Sequence, residues 1–526
     1  MHWLSRRSGL RAFLLILWLS SPSGASAQDE SPGALRFRVS LEPALGVSPV
    51  SGRLLVYLTA NAKPLGMIEP GFGAEAKDVW IVAKEVQHLA PGDSVVLGAE
   101  DLTFPQPLSR APVADYQVMA LLDADHNAAY RPMTAPDLRS RVMRVAALNP
   151  SHAPPLELRL SERVTEPTFN LPSGSERVEF NSPALSAFWG RSIPMRGIVV
   201  LPPGYATSGE RYPTVYWTHG FGGDLSFLAV EAAQVVTNTA EGNLPPMIWV
   251  LLDETCAGGT HEFADSVNNG PWGSALTREL IPYLEGKYRM DARPRGRFLT
   301  GHSSGGWATL WLQVAYPRFF GGTWSTSPDP VDFRDFTNID LTKDRSVYTR
   351  PDGTPTPLVR MNGRDVESFE DISRQERVLG DFGGQISSFD WVFSPRGADG
   401  RPMPLFDRDT GVVHRDVAEY WLQHYDISRI LTTNARKLVP HLRGKLHVIV
   451  GTADTFYLNG PVRLLETAIA PLGYEAKITF LSGRTHFDLF DGGLMTRIAA
   501  QMYGAARPSH HWKPRTQPNP ATELVR

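Results

Sequence analysis

Cysteine is almost missing from this sequence: Cys256 is the single one in 526 residues. One thiol cannot close an intramolecular disulfide, so a large hydrophobic core must hold the fold. No Cys/His cluster has metal-ligand spacing, and neither a metal nor another cofactor is expected. An excess of charge of one sign is also lacking. Lys and Arg number 52 against 55 Asp and Glu, a formal net charge of −3, and there is no long basic run. Nucleic acid and anionic membrane surfaces are therefore not indicated as partners. Long apolar runs are missing as well. Ala12–Leu19 falls far short of the ~20 residues that span a bilayer, so stable membrane insertion is not expected.

That short run follows Arg6, Arg7 and Arg11 and precedes Ala25-Ser26-Ala27. A basic flank, a brief apolar core and an A-x-A site read as a secretory signal peptide over 1–27, giving an exported protein, periplasmic or secreted. The remaining length exceeds one ordinary domain. Leu35–Leu41 alternates apolar and polar residues, and Gly52–Thr59, Tyr116–Leu122 and Leu156–Leu160 add further strands. Residues 28–165 are expected to form a small antiparallel β-sandwich, joined onward by the polar stretch Ser161–Ser175. Within it, Asp123-Ala-Asp-His-Asn127 looks like the start of a calcium loop. Ala128 stands where that loop needs Gly, and Thr134 where it needs Glu, so calcium is not expected. From Met195 onward strands alternate with helical stretches, which predicts an α/β domain on a parallel sheet over 176–505. The proline-containing tail, 506–526, is expected to be disordered.

The most informative stretch is Gly301-His-Ser-Ser-Gly-Gly306. It follows the apolar run Arg297–Thr300 and precedes a helix-like run, Trp307–Tyr316, that Pro317 ends. Strand, tight turn and helix form the context in which G-x-S-x-G marks a nucleophile, here Ser303. The nucleophile needs a base, an acid to orient the base, and donors for an oxyanion. Upstream, the strand Tyr212–Thr218 runs into His219-Gly-Phe-Gly-Gly223, an HGGG-type loop. Phe221 N–H is the expected oxyanion donor, Gly222 the alternate, and Ser304 N–H the second. The acid is expected at Asp454, just past the strand Leu446–Val450, with Asp329 as the rival; Asp253 precedes the serine and has the wrong order. The base is expected at His486, in the loop after Lys477–Leu481.

These motifs, with Val200-Leu-Pro-Pro-Gly-Tyr205 and Trp272–Tyr283, make the segment from about Arg177 to Tyr503 resemble the putative esterase (esterase D-like) family of serine α/β-hydrolases. The resemblance implies an α/β-hydrolase fold and the triad Ser303, Asp454 and His486. It leaves the substrate open, because that family spans sugar esters, siderophore esters, thioesters and lipids. Two readings follow. One is an exported serine esterase acting on small-molecule or carbohydrate-linked esters, or an acyltransferase on the same site. The other is a noncatalytic polysaccharide-binding protein on a hydrolase fold.

One span is unusually long: 328–436, between the nucleophile and the acid, is polar and rich in Pro, Gly and Asp. It is expected to be an insertion over the carboxyl edge of the sheet. Trp391 and Phe393, in the segment Phe389–Pro395, are expected to sit on a loop that walls the substrate pocket. The sequence does not indicate an oligomeric state.

Overall fold

The period-two and period-3.6 halves of the chain build two different layered units. The computed structural model describes residues 33–515 apart from 130, 132, 166, 167, 381 and 382, and the expected signal peptide lies outside them. In the N-terminal unit, Phe37–Leu41 lies between Ser94–Leu97 and Leu156–Leu160 in a three-stranded sheet. It faces a seven-stranded sheet built on Val50–Thr59, Val79–Leu89 and Ala114–Asp123. Phe37, Val39, Leu41, Leu97, Leu158 and Leu160 meet Leu54, Val56, Val82, Val118 and Leu122 in one core. The sandwich is not wholly antiparallel, since Phe37–Leu41 and Leu156–Leu160 pair in parallel. The reason is connectivity: about a hundred residues separate these strands, so no hairpin constrains their directions.

The second unit is an eight-stranded sheet. Its strands are β1 (Ser175–Asn181), β2 (Pro194–Val200), β3 (Thr214–Thr218) and β4 (Ile248–Leu252), then β5 (Arg297–His302), β6 (Gly322–Thr326), β7 (Leu446–Gly451) and β8 (Lys477–Leu481). Their spatial order is 1-2-4-3-5-6-7-8. β2 runs antiparallel to both its neighbours, and β3 to β8 are parallel. β3, β4, β6 and β7 are buried along their whole length, as strands covered on both faces must be. Helix α1 (Leu225–Ala240) follows β3, and helix α2 (Ser304–Ala315) follows β5.

Between β6 and β7 the chain folds into a helical unit rather than open loops. Helix α3 (Phe369–Leu379) and helix α4 (Gln385–Phe393) are followed by three more helices within Arg415–Leu442. Phe333, Phe336, Phe393, Trp421 and Tyr425 pack with Trp307, Leu310 and Val314 of α2 in a single cluster. The insertion is thus an outgrowth of the nucleophile helix's own core, which its polar composition concealed. The tail also departs from expectation. As far as Arg515 it lies against the α/β unit, with Arg507 Nη1 on Asp291 Oδ2 at 2.9 Å and Arg515 N–H on the Gly242 carbonyl at 3.0 Å.

The N-terminal unit docks on this insertion. Val378 and Leu379 of α3 complete a core with Leu55, Tyr57, Ile81 and Leu121 on the outer face of the seven-stranded sheet. Arg53, 7% exposed, donates from Nε and Nη2 to the Val378 carbonyl and from Nη2 to the Arg377 carbonyl at 2.7 Å. Its remaining nitrogen reaches Glu85 Oε1 at 3.0 Å. These bonds satisfy the end of α3, whose last carbonyls have no intrahelical partners. Arg53→Ala should therefore cost about 2–4 kcal/mol, because it strands buried acceptors. Arg38→Ala, which breaks an exposed pair with Glu157, should stay within about 0.5 kcal/mol. Thermal melts of both variants check this, and equal effects would show that Arg53 does not anchor the two units.

Candidate active site

The nucleophile turn is built by backbone crowding. A Cβ on Gly305 would lie 2.4 Å from the carbonyl oxygens of Thr218 and His219, and one on Gly301 would lie 2.3 Å from the Gly305 oxygen. Glycine at both positions lets α2 start hard against β3 and β5. Between them Ser303 adopts φ 60°, ψ −126°, a conformation that costs a non-glycine residue about 1–3 kcal/mol. The turn is pinned by Ser303 N–H donating to the Thr326 carbonyl of β6 at 3.1 Å. Ser304 is the first residue of α2, so its N–H has no intrahelical acceptor and points with the helix dipole at the site.

His486 and Asp454 meet beside this turn. His486 Nδ1 lies 3.0 Å from Asp454 Oδ2, and both side chains are almost fully buried. Asp454 Oδ1 accepts from Phe456 N–H at 3.0 Å and Leu458 N–H at 3.3 Å. Burial alone would raise its pKa, but His486 and these donors outweigh it and hold the carboxyl below its ordinary value. A carboxylate on Nδ1 fixes the proton there and leaves Nε2 as the acceptor. The imidazole is held between rings, 4.3 Å from His302 and 4.8 Å from Phe456 between centroids. Burial, then the neighbouring His486, pushes His302 down to about 3, so it stays neutral at working pH.

The HGGG-type loop lies against the serine. A Cβ on Gly220 would sit 3.0 Å from Ser303 Cβ. Phe221 and Gly222 line the same cavity as Ser303 and His486. His219 braces this loop: Glu254 N–H donates to its Nε2 at 3.0 Å, and Nδ1 faces the Gly220 carbonyl at 2.7 Å. Gly223 must be glycine for that ring to fit, since a Cβ there would lie 2.5 Å from Nδ1. Asp253 lies 3.4 Å from His219 Nε2 and pairs with Arg196 at 2.8 Å, so it supports the loop.

Asp329, the rival acid, does not bond His486. Its Oδ2 accepts from Ser304 Oγ at 2.7 Å, and Gln385 Nε2 of α4 approaches the same hydroxyl at 3.4 Å. Burial raises this carboxyl to about 6. The Asp329–Ser304–Gln385 contact is not foreseen in the sequence. The signal available was Ser304 itself, a polar residue where the helix start is otherwise glycine and tryptophan.

Trp391 and Phe393 need correction. Neither is among the residues lining the cavity, and their segment is helix α4, not a loop. Phe393 packs against Trp307, Phe333 and Trp421, while Trp391 lies over Gly258. The aromatic of α4 that reaches the cavity is Phe389. Residues two apart on a helix face opposite sides, so Phe389 and Trp391 cannot share one wall.

Asp123, Asp125 and Asp137 form the one carboxylate cluster tight enough to hold a cation among the described residues. Backbone donors occupy it: Asp123 accepts from Asn127 and Ala128 N–H, and Asp137 from Ala124 and Thr134 N–H. The cluster clamps its loop, and no chemistry at the site is routed through it.

A serine on a strained turn, a histidine paired with a buried carboxylate and a donor loop define a serine-hydrolase type of site. Residues 182–371 match the family model described as putative esterase, the family the sequence resembles. Two curated relatives, esterases MT1326 and Rv1288 of Mycobacterium tuberculosis strains CDC 1551 and H37Rv, are each 32% identical over 139 residues. That stretch is 26% of this chain and 30% of each relative's own length. Among solved structures, a ferulic acid esterase is 15% identical with TM-score 0.39, covering 63% of this chain and all of its own. FphF, a fluorophosphonate-binding serine hydrolase of Staphylococcus aureus, is 12% identical with TM-score 0.37, covering 63% and 98%.

Beneath the donor loop lies a store of neutral acids. Glu254 and Glu262 are fully buried, and burial raises the first to about 8 and the second well above its ordinary value. A carboxyl with a raised folded pKa binds more protons when folded, so its stability contribution is full below its unfolded pKa and lost as pH rises through the folded one. Depressed histidines such as His302 oppose this only up to about pH 6.5. Above that the carboxyl contribution stands, with Glu367 and Glu376, both raised to about 7, acting in the same sense. The melting temperature should fall by on the order of 5 °C between pH 6.5 and 8.5. Glu254→Gln should flatten that slope. An unchanged slope in the variant would remove Glu254 from the account.

Proposed function

We propose that this chain is an exported serine esterase of α/β-hydrolase fold that cleaves carboxylic esters through an acyl-enzyme. The observation that carries the reading is Ser303 on its strained turn in one cavity with the His486–Asp454 pair. Ser303 Oγ attacks the ester carbonyl as His486 Nε2 takes its proton. Asp454 keeps the other imidazole proton on Nδ1 and stabilises the imidazolium. Phe221 N–H, with Gly222 as the alternate, and Ser304 N–H receive the oxyanion; His486 then protonates the leaving alcohol, and water reverses the sequence to free the acid. The family match over 182–371 and relatives named esterases support this reading, as does the strand order with its antiparallel second strand. The short apolar run behind three arginines supports export. A purely binding protein would have no use for a strained serine and an oriented imidazole.

Ser303→Ala should abolish labelling by a fluorophosphonate probe and lower turnover of an activated ester by at least about 10⁴. Asp454→Asn should cost about 10⁴ through the wrong tautomer, and Asp329→Asn far less. Undiminished labelling of Ser303→Ala would sink the assignment of the nucleophile. A crippled Asp329→Asn beside a mild Asp454→Asn would transfer the acid role.

A further inference from the structure

The catalytic cavity is not made by the α/β unit alone. It has a volume of about 1010 Å³, at the upper end of the roughly 300–1,000 Å³ of small-molecule sites. One arm runs under α1. The other runs under the insertion, walled by Phe336, Leu358, Phe369, Ile372, Leu379 and Phe389.

The carboxylate and the side-chain amide nitrogens of this second arm already have protein partners. Glu376 accepts from Ile386 N–H at 3.0 Å, Gln375 Nε2 donates to the Gly71 carbonyl at 2.9 Å, and Gln385 Nε2 approaches Ser304 Oγ at 3.4 Å. A sugar entering here would meet apolar walls and occupied hydrogen-bonding groups, which penalises every hydroxyl it buries. A hydrocarbon chain would be penalised by none of them.

The mouth of this arm carries an aromatic from the N-terminal unit. Phe72 is held on both sides, by Gly73 N–H on Glu367 Oε2 at 3.0 Å and by the Gly71 carbonyl on Gln375. Yet the residue is 44% exposed and lines the cavity, so it is not filler between the units. It lies 5.8 Å from the Phe456 ring and 6.4 Å, edge-on, from the Phe487 ring. Phe456 in turn packs on His486. An apolar path therefore runs from the N-terminal unit to the catalytic imidazole.

We propose that the arm between Phe72 and the insertion takes the hydrocarbon chain of an ester with a long apolar group, and that Phe72 is a specificity-determining residue. The inference rests on the esterase reading and narrows its substrate to lipid-like rather than carbohydrate esters. The chain could belong to the acid or to the alcohol, and the test separates them. Full-length protein is assayed with 4-nitrophenyl esters from acetate to decanoate, and with acetate esters of alcohols from ethanol to decanol.

In one series kcat/KM should rise at least about tenfold from the shortest chain to the eight-carbon member, each buried methylene being good for up to about fourfold. Phe72→Ala should cut the ratio of eight-carbon to shortest substrate about tenfold, and Phe72→Leu should restore most of it. Leu358→Trp, which fills the arm from another element, should cut the same ratio. Turnover with no chain-length gain in either series would overturn this inference and leave the esterase reading intact. So would equal losses on short and long substrates in Phe72→Ala and in Leu358→Trp, with lowered melting points. No turnover of any ester, with no fluorophosphonate labelling, would overturn the esterase reading itself.

Discussion

The whole site hangs on how closely the backbone can approach itself where β5 turns into α2. Gly301 and Gly305 have no room for a Cβ, and Gly220 faces Ser303 across the same gap. Remove that closeness and α2 shifts off β3 and β5, Ser303 loses its strained φ, and Ser304 N–H no longer points where charge would develop. The strain at one serine is small beside the burial of Trp307, Ala308 and Leu310 behind it, which is why the turn persists. The same packing roots the insertion, so the nucleophile and the pocket wall share one core.

The Gly301–Gly306 turn, the His219–Gly223 loop, Asp454 and His486 could be placed at the sheet's edge from the sequence because each follows the end of a parallel strand. Turns at a sheet edge leave plain marks: glycines, an Asp after Leu446–Val450, a His after Lys477–Leu481. The walls left no such marks. Phe72, Leu358 and Phe389 come from three distant segments and look like any core residue until the fold brings them together. Trp391 and Phe393 were misplaced because glycines at 380, 383 and 384 and Pro395 suggested a loop. Nine residues between such breakers are enough for the helix Gln385–Phe393, and helical spacing then turns Trp391 away. The insertion's polar composition hid Phe333, Phe336 and Trp421 in the same way. In the N-terminal unit the alternating pattern gave the strands but not the parallel pairing of the first with one near its end, since a period of two says nothing of direction.

Charge is arranged with similar economy around the turn. Asp454 is kept ionised by His486 and by backbone donors, while in Glu254 burial outweighs His219 and Thr218, and in Glu262 it is unopposed. Near neutral pH Asp454 is the carboxylate set directly against His486, with Asp329, raised only to about 6, ionised close by.

Helix α3 has two duties that share one face. Gln375 and Leu379 serve both the N-terminal unit and the cavity, Ile372 lines the cavity, and the carbonyls at the end of the helix are occupied by Arg53. To swing outward as a lid it would have to take both carbonyl acceptors from a buried guanidinium and leave it only Glu85, a penalty well above thermal energy. The wall of the arm is therefore a fixed surface whose shape is set during folding. The exposed rings that line the cavity, Phe72, Phe227 and Phe487, are then what an entering molecule meets, and access is set by fixed side chains and not by the opening of a domain.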